Sequence, residues 1–346
     1  MNNTQDIPRY LAGLTKTDCE KLFQELDQPR YRASQLLQWI FRHNALSYSE
    51  MSNLPGTLLS ELAKRYQPCS LTATETVETP DKSARKYLMR TADNHLIESV
   101  AITHEKRHTL CISSQIGCAF ACGFCASGKA GFIRNLCAAE MIDQIRIMTQ
   151  EHDMTNLVFM GSGEPLHNFN AFEKAYESIH SSWGFELGQR KITVSTVGYI
   201  PGIEELTASN LRPILALSLH STRDDQRSSF MPINKQYSIH AVLDSCRKYA
   251  DVSGRDITIE YLVIPEFNSS DDDVKRLVSL LKKYPAKINL IPLNEVDEFP
   301  FAPPTEDQVY NFFNKIKDSG LDVTIRWSKG SRIAAACGQL RAQRGS

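Results

Sequence analysis

The chain has 346 residues, of which 42% are hydrophobic and 23% charged, and its formal net charge is −1. These values are ordinary for a globular protein with one large domain and a smaller one. A net charge so close to zero says nothing for or against nucleic acid, so any nucleic-acid site must be a local basic patch. No apolar run approaches the roughly 18–20 residues that span a bilayer, so no membrane partner is expected.

The amino-terminal stretch MNNTQDIPRY has neither the charged nor the apolar region of a secretion signal. We therefore expect a cytoplasmic protein, in a reducing compartment where its nine cysteines do not build a disulfide framework. Four of the nine lie close together, between Cys111 and Cys125. Clustered thiols in such a chain favour metal binding or catalysis.

The first predicted elements are helical. Apolar residues recur at helical spacing from about residue 16 to residue 65, which predicts a small helical module over residues 1–66. The period then changes, because TATETVET, RKYLMRT and HLIESVAI alternate as strands do. We predict a short β-rich connecting segment over residues 67–104.

From residue 105 onward, predicted strands and helices alternate. The strand-like runs are TLCISS, NLVFMG, KITVST, PILALSLH, ITIEYLVI, INLIPL and DVTIRW. This pattern predicts an α/β core over residues 105–346, in which a parallel sheet closes partly into a (βα) barrel. A doubly wound open sheet is the alternative.

Polar residues follow several of these predicted strands. They are the stretch Gly161 to Glu164, the pair Ser195-Thr196, the run Ser218 to His220, and Asn294. Since chemistry in parallel α/β folds collects at the carboxyl ends of the strands, we expect one site at one barrel mouth.

Cys118, Cys122 and Cys125 form a C-x3-C-x2-C motif directly after a predicted strand. Three thiolates from one short loop suit three irons of a four-iron cluster and leave the fourth iron open. A structural zinc site would need four ligands, usually from paired knuckles, and no second knuckle exists. Buried thiols without a ligand role are the remaining alternative.

The motif resembles the signature of the radical S-adenosylmethionine (SAM) superfamily. Further stretches are similar to those of the RlmN/Cfr family of radical SAM RNA methyltransferases and occur in the same order. They are GFIRNL (131–136), GSGEPLHN (161–168), TVSTVG (193–198), LSLHS (217–221), FMPIN (230–234) and AACGQL (335–340). The resemblance covers nearly the whole chain, including YRASQLLQWIF in the helical module.

The resemblance implies a [4Fe-4S] cluster on Cys118, Cys122 and Cys125, with SAM on the open iron and two SAM molecules consumed per turnover. Reductive cleavage of SAM would supply a 5′-deoxyadenosyl radical. By match to the family, the SAM-contacting positions are Gly163, Glu164, Ser195, Ser218, Leu219 (through its backbone), His220 and Asn294.

Three catalytic roles are also implied by the resemblance. Cys337 would accept a methyl group from SAM and carry it as S-methylcysteine. Cys111 would be the resolving thiol that forms a transient disulfide with Cys337. Glu98 would be the proton acceptor, although its residue type alone indicates an exposed strand glutamate.

The implied partners are an RNA substrate, namely ribosomal RNA with transfer RNA as a second candidate, and an electron donor such as flavodoxin or ferredoxin. We expect a monomer. The basic residues that are candidates for an RNA-facing surface, with an ordinary solvated face as the alternative, are Lys82, Arg85, Lys86, Arg90, Arg30, Arg32 and Arg42.

Three departures from the family pattern bear on the substrate. Ser331-Arg332 replaces an acidic pair, Ser127 replaces threonine, and Ser162 stands where methionine is common. No reactive atom is lost, and Pro165 favours the RlmN branch, which methylates carbon 2 of adenine. Methylation at carbon 8, another RNA, or a non-catalytic RNA-binding protein with a metal cluster are the alternatives.

Overall fold

The computed structural model of the chain describes residues 9–295 and 299–340, except the side chain of Arg332. The ends of the predicted helical module (1–8) and of the predicted core (341–346) lie outside the described residues. The predicted domain boundaries at 66/67 and 104/105 stay predictions.

Three helices form the amino-terminal region: α1 (Lys16–Glu25), α2 (Tyr31–Phe41) and α3 (Gly56–Ala63). A capping box starts α1, because Thr15 Oγ1 accepts a hydrogen bond from Asp18 N and the Asp18 carboxylate accepts one from Thr15 N. The apolar faces of these helices, including Phe23 and Leu36, belong to the same buried core as the barrel helices. The helical region is therefore packed on the core.

One ten-stranded sheet dominates the rest of the chain, in the order β1-β2-β3-β4-β7-β8-β9-β10-β11-β12. Its strands are β1 (Leu71–Glu78), β2 (Ala84–Thr91), β3 (Leu96–His104), β4 (Arg107–Ile112), β7 (Asn156–Phe159), β8 (Ile192–Thr196), β9 (Ile214–Ser218), β10 (Ile257–Val263), β11 (Ala286–Pro292) and β12 (Val323–Ile325). A separate antiparallel pair consists of β5 (Gln115–Gly117) and β6 (Phe132–Asn135).

The sheet is antiparallel from β1 to β4 and parallel from β4 to β12. The predicted βα core is confirmed, and the predicted β segment proves to extend its sheet. Eight neighbouring strands, β3, β4 and β7 to β12, contribute side chains to one cavity. The sheet therefore curves around that cavity as a partial barrel.

The remaining helices are α4 (Ala126–Lys129), α5 (Ala138–Met148), α6 (Phe169–His180), α7 (Ile200–Ala208), α8 (Asp224–Phe230), α9 (Ile239–Ser253), α10 (Asp271–Leu281) and α11 (Glu306–Lys317). Among the helices described here, none combines the length and apolar character that a bilayer crossing needs.

Helix α5 joins the helical region to the barrel, since every one of its residues is buried. Within it, Asp143 and Arg146 form a fully buried ion pair. The Asp143 carboxylate also accepts hydrogen bonds from the N–H and hydroxyl of Ser70 at 2.6 Å each. Arg146 donates to the carbonyl oxygens of Ala45 and Pro68. The pair thus ties three separate chain segments together.

Candidate active site

The three motif cysteines lie on the loop between β5 and α4 and line one cavity of about 140 Å³. The loop begins at Gly117, whose φ is +74° and where a Cβ would come within 1.6 Å of the Gly131 carbonyl oxygen. Only glycine fits such a position. The N–H of Cys118 donates to Gly131 O at 3.2 Å.

The thiols of this loop are poor anions by themselves. Burial raises the pKa of Cys118 to about 12 and raises the pKa values of Cys122 and Cys125, and neighbouring thiols add to each increase. A bound cationic centre would offset this cost, since thiolates are the usual ligands of iron–sulfur clusters. The described residues include no group of three His, Cys, Asp or Glu side chains that suits a single metal ion. In a four-iron cluster each of these three thiolates would bind a different iron, so the loop fits a cluster and not a single metal ion.

Glu164 lines the same cavity and is buried. Its carboxylate oxygens accept hydrogen bonds from Val197 N at 2.8 Å and Leu166 N at 3.3 Å. Burial raises the pKa of Glu164 to about 7, although these hydrogen bonds oppose the shift. Among the described residues Glu164 forms no ion pair, and a buried carboxylate of this kind is suited to receive an ammonium group.

Gly163 precedes this carboxylate with φ at +98°, and a Cβ there would approach the Gln115 side chain to 2.4 Å. Gln115 in turn accepts a hydrogen bond from Glu164 N at 2.9 Å through its Oε1 atom. The close approach leaves room for glycine alone.

The other strand-end residues meet in the same cavity. Its lining includes Ser195 from β8, Ser218 from β9, and also His220 and Asn294. Leu219 is not among the described lining residues; its N–H donates to Glu260 O at 3.1 Å and its carbonyl accepts from Arg227 Nε at 2.9 Å. The cavity therefore contains six of the seven residues that match SAM positions.

His220 is buried and neutral. Burial, followed by the charge of Arg227, lowers the pKa of His220 to about 3. Its Nδ1 accepts a hydrogen bond from Leu262 N at 3.1 Å. The neutral ring therefore carries its proton on Nε2 and can donate one hydrogen bond.

The sequence did not indicate Arg227, although it organises this mouth of the barrel. Its buried guanidinium donates to the carbonyl oxygens of Val197 (2.7 Å), Ser218 (2.8 Å) and Leu219 (2.9 Å). Its Nη1 also donates to Asn234 Oδ1 at 2.9 Å. Asn234 belongs to the FMPIN stretch, and that stretch was the one sequence feature that could have pointed to Arg227.

Cys337 lies at the boundary between this cavity and a second one of about 590 Å³, and it lines both. Cys111, more than 200 residues earlier, lines only the second. Burial first, and then the Cys337 thiol, raise the pKa of Cys111 to about 12. Both cysteines are free thiols, so the structure brings the two predicted partners together without a bond.

Several hydrogen bonds hold the Cys337 segment against the cluster loop and the strand ends. Ala126 N donates to Gly338 O at 2.8 Å, and the Ser127 hydroxyl donates to Leu340 O at 2.6 Å. Asn294 Nδ2 donates to the carbonyl oxygen of Cys337 at 3.1 Å. Ser127, one of the departures from the family pattern, therefore keeps the hydroxyl that this contact uses.

A charged pair that the sequence did not indicate separates the two cavities. Arg326 Nη1 lies 3.8 Å from Glu260 Oε2, and both residues line both cavities. The Cys337 thiolate and Glu260 raise the pKa of Arg326, while burial opposes them. A positive charge thus lies beside both thiols.

Glu98 is buried on β3, contrary to what its residue type alone indicates. It shares a sheet face with Val100, which is paired with Cys111 in register and belongs to the same small apolar cluster. Lys86 Nζ lies 3.0 Å from Glu98 Oε1 and also donates to Ala334 O at 3.5 Å. Glu98 does not belong to the described lining of either cavity.

The candidate RNA-facing cations are mostly paired with acids. Lys86 pairs with Glu98 as described, and the other pairs are Arg30–Glu20 (3.2 Å), Arg42–Glu186 (2.7 Å) and Arg85–Glu151 (2.6 Å). The RNA-facing surface stays a prediction.

A partial barrel with a three-cysteine loop at the carboxyl ends of its strands defines a radical SAM enzyme. The Radical SAM superfamily model matches residues 112–281, and the model of the ribosomal RNA large subunit methyltransferase N-terminal domain matches residues 10–67. Enzymes of this class use a [4Fe-4S] cluster and SAM, which the donor set fits.

Comparison with individual proteins narrows the class. The chain is 41% identical over 337 residues to the dual-specificity RNA methyltransferase RlmN of Geotalea uraniireducens, covering 97% of this chain and 94% of that protein. It is 40% identical over 331 residues to the probable dual-specificity RNA methyltransferase RlmN of Dictyoglomus turgidum, covering 94% of each. A radical SAM methyltransferase from Sphaerobacter thermophilus has a crystal structure that matches with a TM-score of 0.93 at 39% identity, covering 97% of this chain and 100% of that one. The chain belongs to the RlmN family of radical SAM methyltransferases.

Proposed function

We propose that this enzyme methylates carbon 2 of an adenine in large-subunit ribosomal RNA, with transfer RNA as a second substrate. The family model that matches residues 10–67 is named for a ribosomal RNA large subunit methyltransferase. The relatives are named dual-specificity RNA methyltransferases. Carbon 2 of adenine is electron-poor and does not attack the methyl group of SAM directly, so the methyl group must pass through a nucleophile of the protein.

In this proposal Cys337 is that nucleophile. Its thiolate attacks the methyl carbon of one SAM, so that an S–C bond forms on Cys337, the bond between that carbon and the SAM sulfur breaks, and S-adenosylhomocysteine leaves. A cluster held by Cys118, Cys122 and Cys125 would supply one electron and later recover one, and a second SAM would supply the radical chemistry that activates the S-methyl group on Cys337. The activated carbon on Cys337 then bonds to the adenine ring.

Glu98 and Cys111 complete the transfer. Glu98 accepts the ring proton that the adduct loses. The Cys111 thiolate attacks Cys337 Sγ, which forms an S–S bond and breaks the S–CH2 bond, and the carbon takes up a proton to become the methyl group. A dithiol reductant must later supply two electrons to restore both thiols.

One observation carries this proposal: Cys111 and Cys337 line one cavity, and Cys337 also lines the cavity of the cluster loop. A radical SAM enzyme that worked on a substrate directly would not need two thiols there. The strand register supports the role of Glu98, because Val100 on the same face is paired with Cys111.

The decisive experiment compares RNA nucleosides from cells with and without the gene by mass spectrometry. We expect 2-methyladenosine to disappear from ribosomal RNA when the gene is deleted. Its persistence, with loss of 8-methyladenosine, would instead favour the carbon 8 alternative. A protein that forms no 5′-deoxyadenosine after anaerobic reconstitution would point to the non-catalytic alternative.

The finer details belong to the same proposal. We assign residues 1–66 to an accessory RNA-binding module, and we expect a monomer that acts in the cytoplasm. Flavodoxin or ferredoxin is the expected electron donor. Light scattering of the purified protein and cluster reduction by each donor would check the oligomeric state and the donor.

A further inference from the structure

The second cavity occupies the part of the barrel that lies opposite the cluster loop. Its lining includes Thr193, Ile214 and Thr258, which occupy the first or second positions of β8, β9 and β10. The first cavity instead uses the later positions of the same strands, such as Ser195 and Ser218. The second cavity therefore extends to the amino-terminal ends of these strands.

Cys337 can be reached from this side. The second cavity has about 590 Å³ against about 140 Å³ for the first, and Cys111 and Cys337 both line it. The first cavity is shared by the cluster cysteines and the SAM-matching residues. In the proposed reaction the base must touch the carbon carried by Cys337, so it must occupy a cavity that Cys337 lines. Of the two such cavities, the larger one has room for a nucleotide.

The rim of this cavity has the two features that single-stranded RNA requires. The first is an exposed aromatic pair: Trp327 is 39% exposed and lies on the rim, and its ring is 5.8 Å from that of Tyr310, which is 46% exposed. Exposed aromatic rings are the usual stacking platforms for unpaired bases.

The second feature is charge. Arg107 and Lys329 also line the rim. Glu260 is the one acidic side chain in the described lining, and it pairs with Arg326 at 3.8 Å. The rim is therefore positive, although the whole chain is nearly neutral, which suits phosphate groups.

We propose that this second cavity is the docking site of the RNA strand, with Trp327 stacking on a base beside the target adenine and with Arg107 and Lys329 at the flanking phosphates. This inference rests on the proposed function, and it adds the cavity and the side chains that would hold the RNA. A protein partner fits the rim less well, because the aromatic pair lies beside a cavity of about 590 Å³ that an unpaired nucleotide can enter.

The test measures RNA binding without turnover, using an RNA hairpin with an unpaired adenine in its loop and no SAM. Stacking on Trp327 should quench tryptophan fluorescence, and Trp327→Phe should remove that quenching while Trp39 and Trp183 still emit. Trp327→Ala should weaken binding about 5- to 100-fold, whereas Trp327→Phe keeps most of the affinity. Val252→Ala, at an exposed apolar position on α9, is the control and should bind like the wild type.

Three outcomes separate this proposal from the proposed function. Wild-type affinity in Trp327→Ala, with normal methylation, would overturn the docking site and leave the function intact. Quenching by the hairpin, together with unchanged 2-methyladenosine in cells that lack the gene, would support the docking site and overturn the proposed function. If Trp327→Ala slows cluster reduction by flavodoxin but binds RNA normally, the rim serves the electron donor and the proposal is wrong.

Discussion

The side-chain amide of Asn294 donates a hydrogen bond of 3.1 Å to the carbonyl oxygen of Cys337. This bond joins a residue of the cluster cavity to the segment that carries the proposed methyl acceptor. The position of Cys337 is thus linked to the lining of the site where SAM is expected. We therefore expect Asn294 to help hold the Cys337 segment in place.

We predict that Asn294→Ala slows methylation of Cys337 about 3- to 10-fold, the usual effect of one lost hydrogen bond. Intact-protein mass spectrometry after mixing with SAM would measure the rate, and equilibrium dialysis would measure SAM affinity separately. Asn210→Ala, at an exposed position, is the control. An unchanged rate would show that the bond does not hold Cys337 in place.

The two thiols should differ in what their removal abolishes. Cys337→Ala should leave no methyl group on the purified protein, because the acceptor is gone. Cys111→Ala should still carry the methyl group, but it should accumulate a covalent protein–RNA adduct, because nothing attacks Cys337 Sγ.

Denaturing gels with labelled RNA and peptide mass spectrometry would distinguish these states. Cys246 is buried and lines neither cavity, so Cys246→Ala should neither lose the methyl group nor accumulate the protein–RNA adduct. RNA methylation at the normal rate by Cys337→Ala would rule out the two-thiol route.

The cluster loop should not tolerate a side chain at Gly117. Gly117→Ala would place a Cβ within 1.6 Å of Gly131 O at a φ of +74°, so the loop must shift. We expect iron incorporation to fall severalfold on anaerobic reconstitution, measured by iron content and visible absorbance. Gly188→Ala, where a Cβ meets nothing within 4 Å, should incorporate iron normally. Normal iron content in Gly117→Ala would contradict this account of the loop.

Glu164 should make the metal-free protein less stable at high pH. Burial raises the pKa of Glu164 in the folded protein to about 7 from 4.5. The folded state therefore holds the proton more tightly than the unfolded state, and stability falls as the pH rises from about 4.5 to 7. The full effect, about 2–4 kcal/mol, should be present above pH 7.

Urea unfolding of the wild type and Glu164→Gln at pH 5 and pH 8 would measure this effect. Because the glutamine does not titrate, the stability of Glu164→Gln relative to the wild type should increase between the two pH values. A difference that stays constant would mean that Glu164 has an ordinary pKa in the folded protein.

The buried pair in α5 should matter for folding. Arg146→Ala would leave the Asp143 carboxylate buried without its cation, since both side chains are fully buried. We expect a loss of about 3–5 kcal/mol in the free energy of unfolding. Lys275 Nζ lies 3.1 Å from Asp272 Oδ1 in an exposed pair with the same three-residue separation. Lys275→Ala removes this pair and should cost less than about 1 kcal/mol. Urea unfolding would measure both losses. Equal losses in Arg146→Ala and Lys275→Ala would show that burial does not make the Asp143–Arg146 pair more important.

The cluster loop and the alternation of strands and helices could be predicted because both depend on local features. The spacing of Cys118, Cys122 and Cys125 is covalent, and strand and helix periods appear within short windows. Glu98 could not be placed in this way. Charged side chains are rarely buried, yet pairing of β2 with β3 brings Lys86 within 3.0 Å of its carboxylate.

Arg227 and the Arg326–Glu260 pair were missed for a related reason. Three acceptors of Arg227 are backbone carbonyls at strand ends, and a carbonyl has no sequence signature. Glu260 lies on β10 and Arg326 directly follows β12, so pairing of both strands with β11 brings the two side chains to 3.8 Å.

By itself the sequence determined the three-thiolate motif, the βα core and the family, because these depend on residue types and on distances along the chain. The tertiary structure decided that Cys111 and Cys337 share a cavity and that Trp327 and Lys329 line its rim. Strand pairing and barrel curvature set those distances, and they act between residues more than 200 positions apart. The chemistry of each thiol is local, whereas the proposed partnership of the two thiols depends on how the sheet folds.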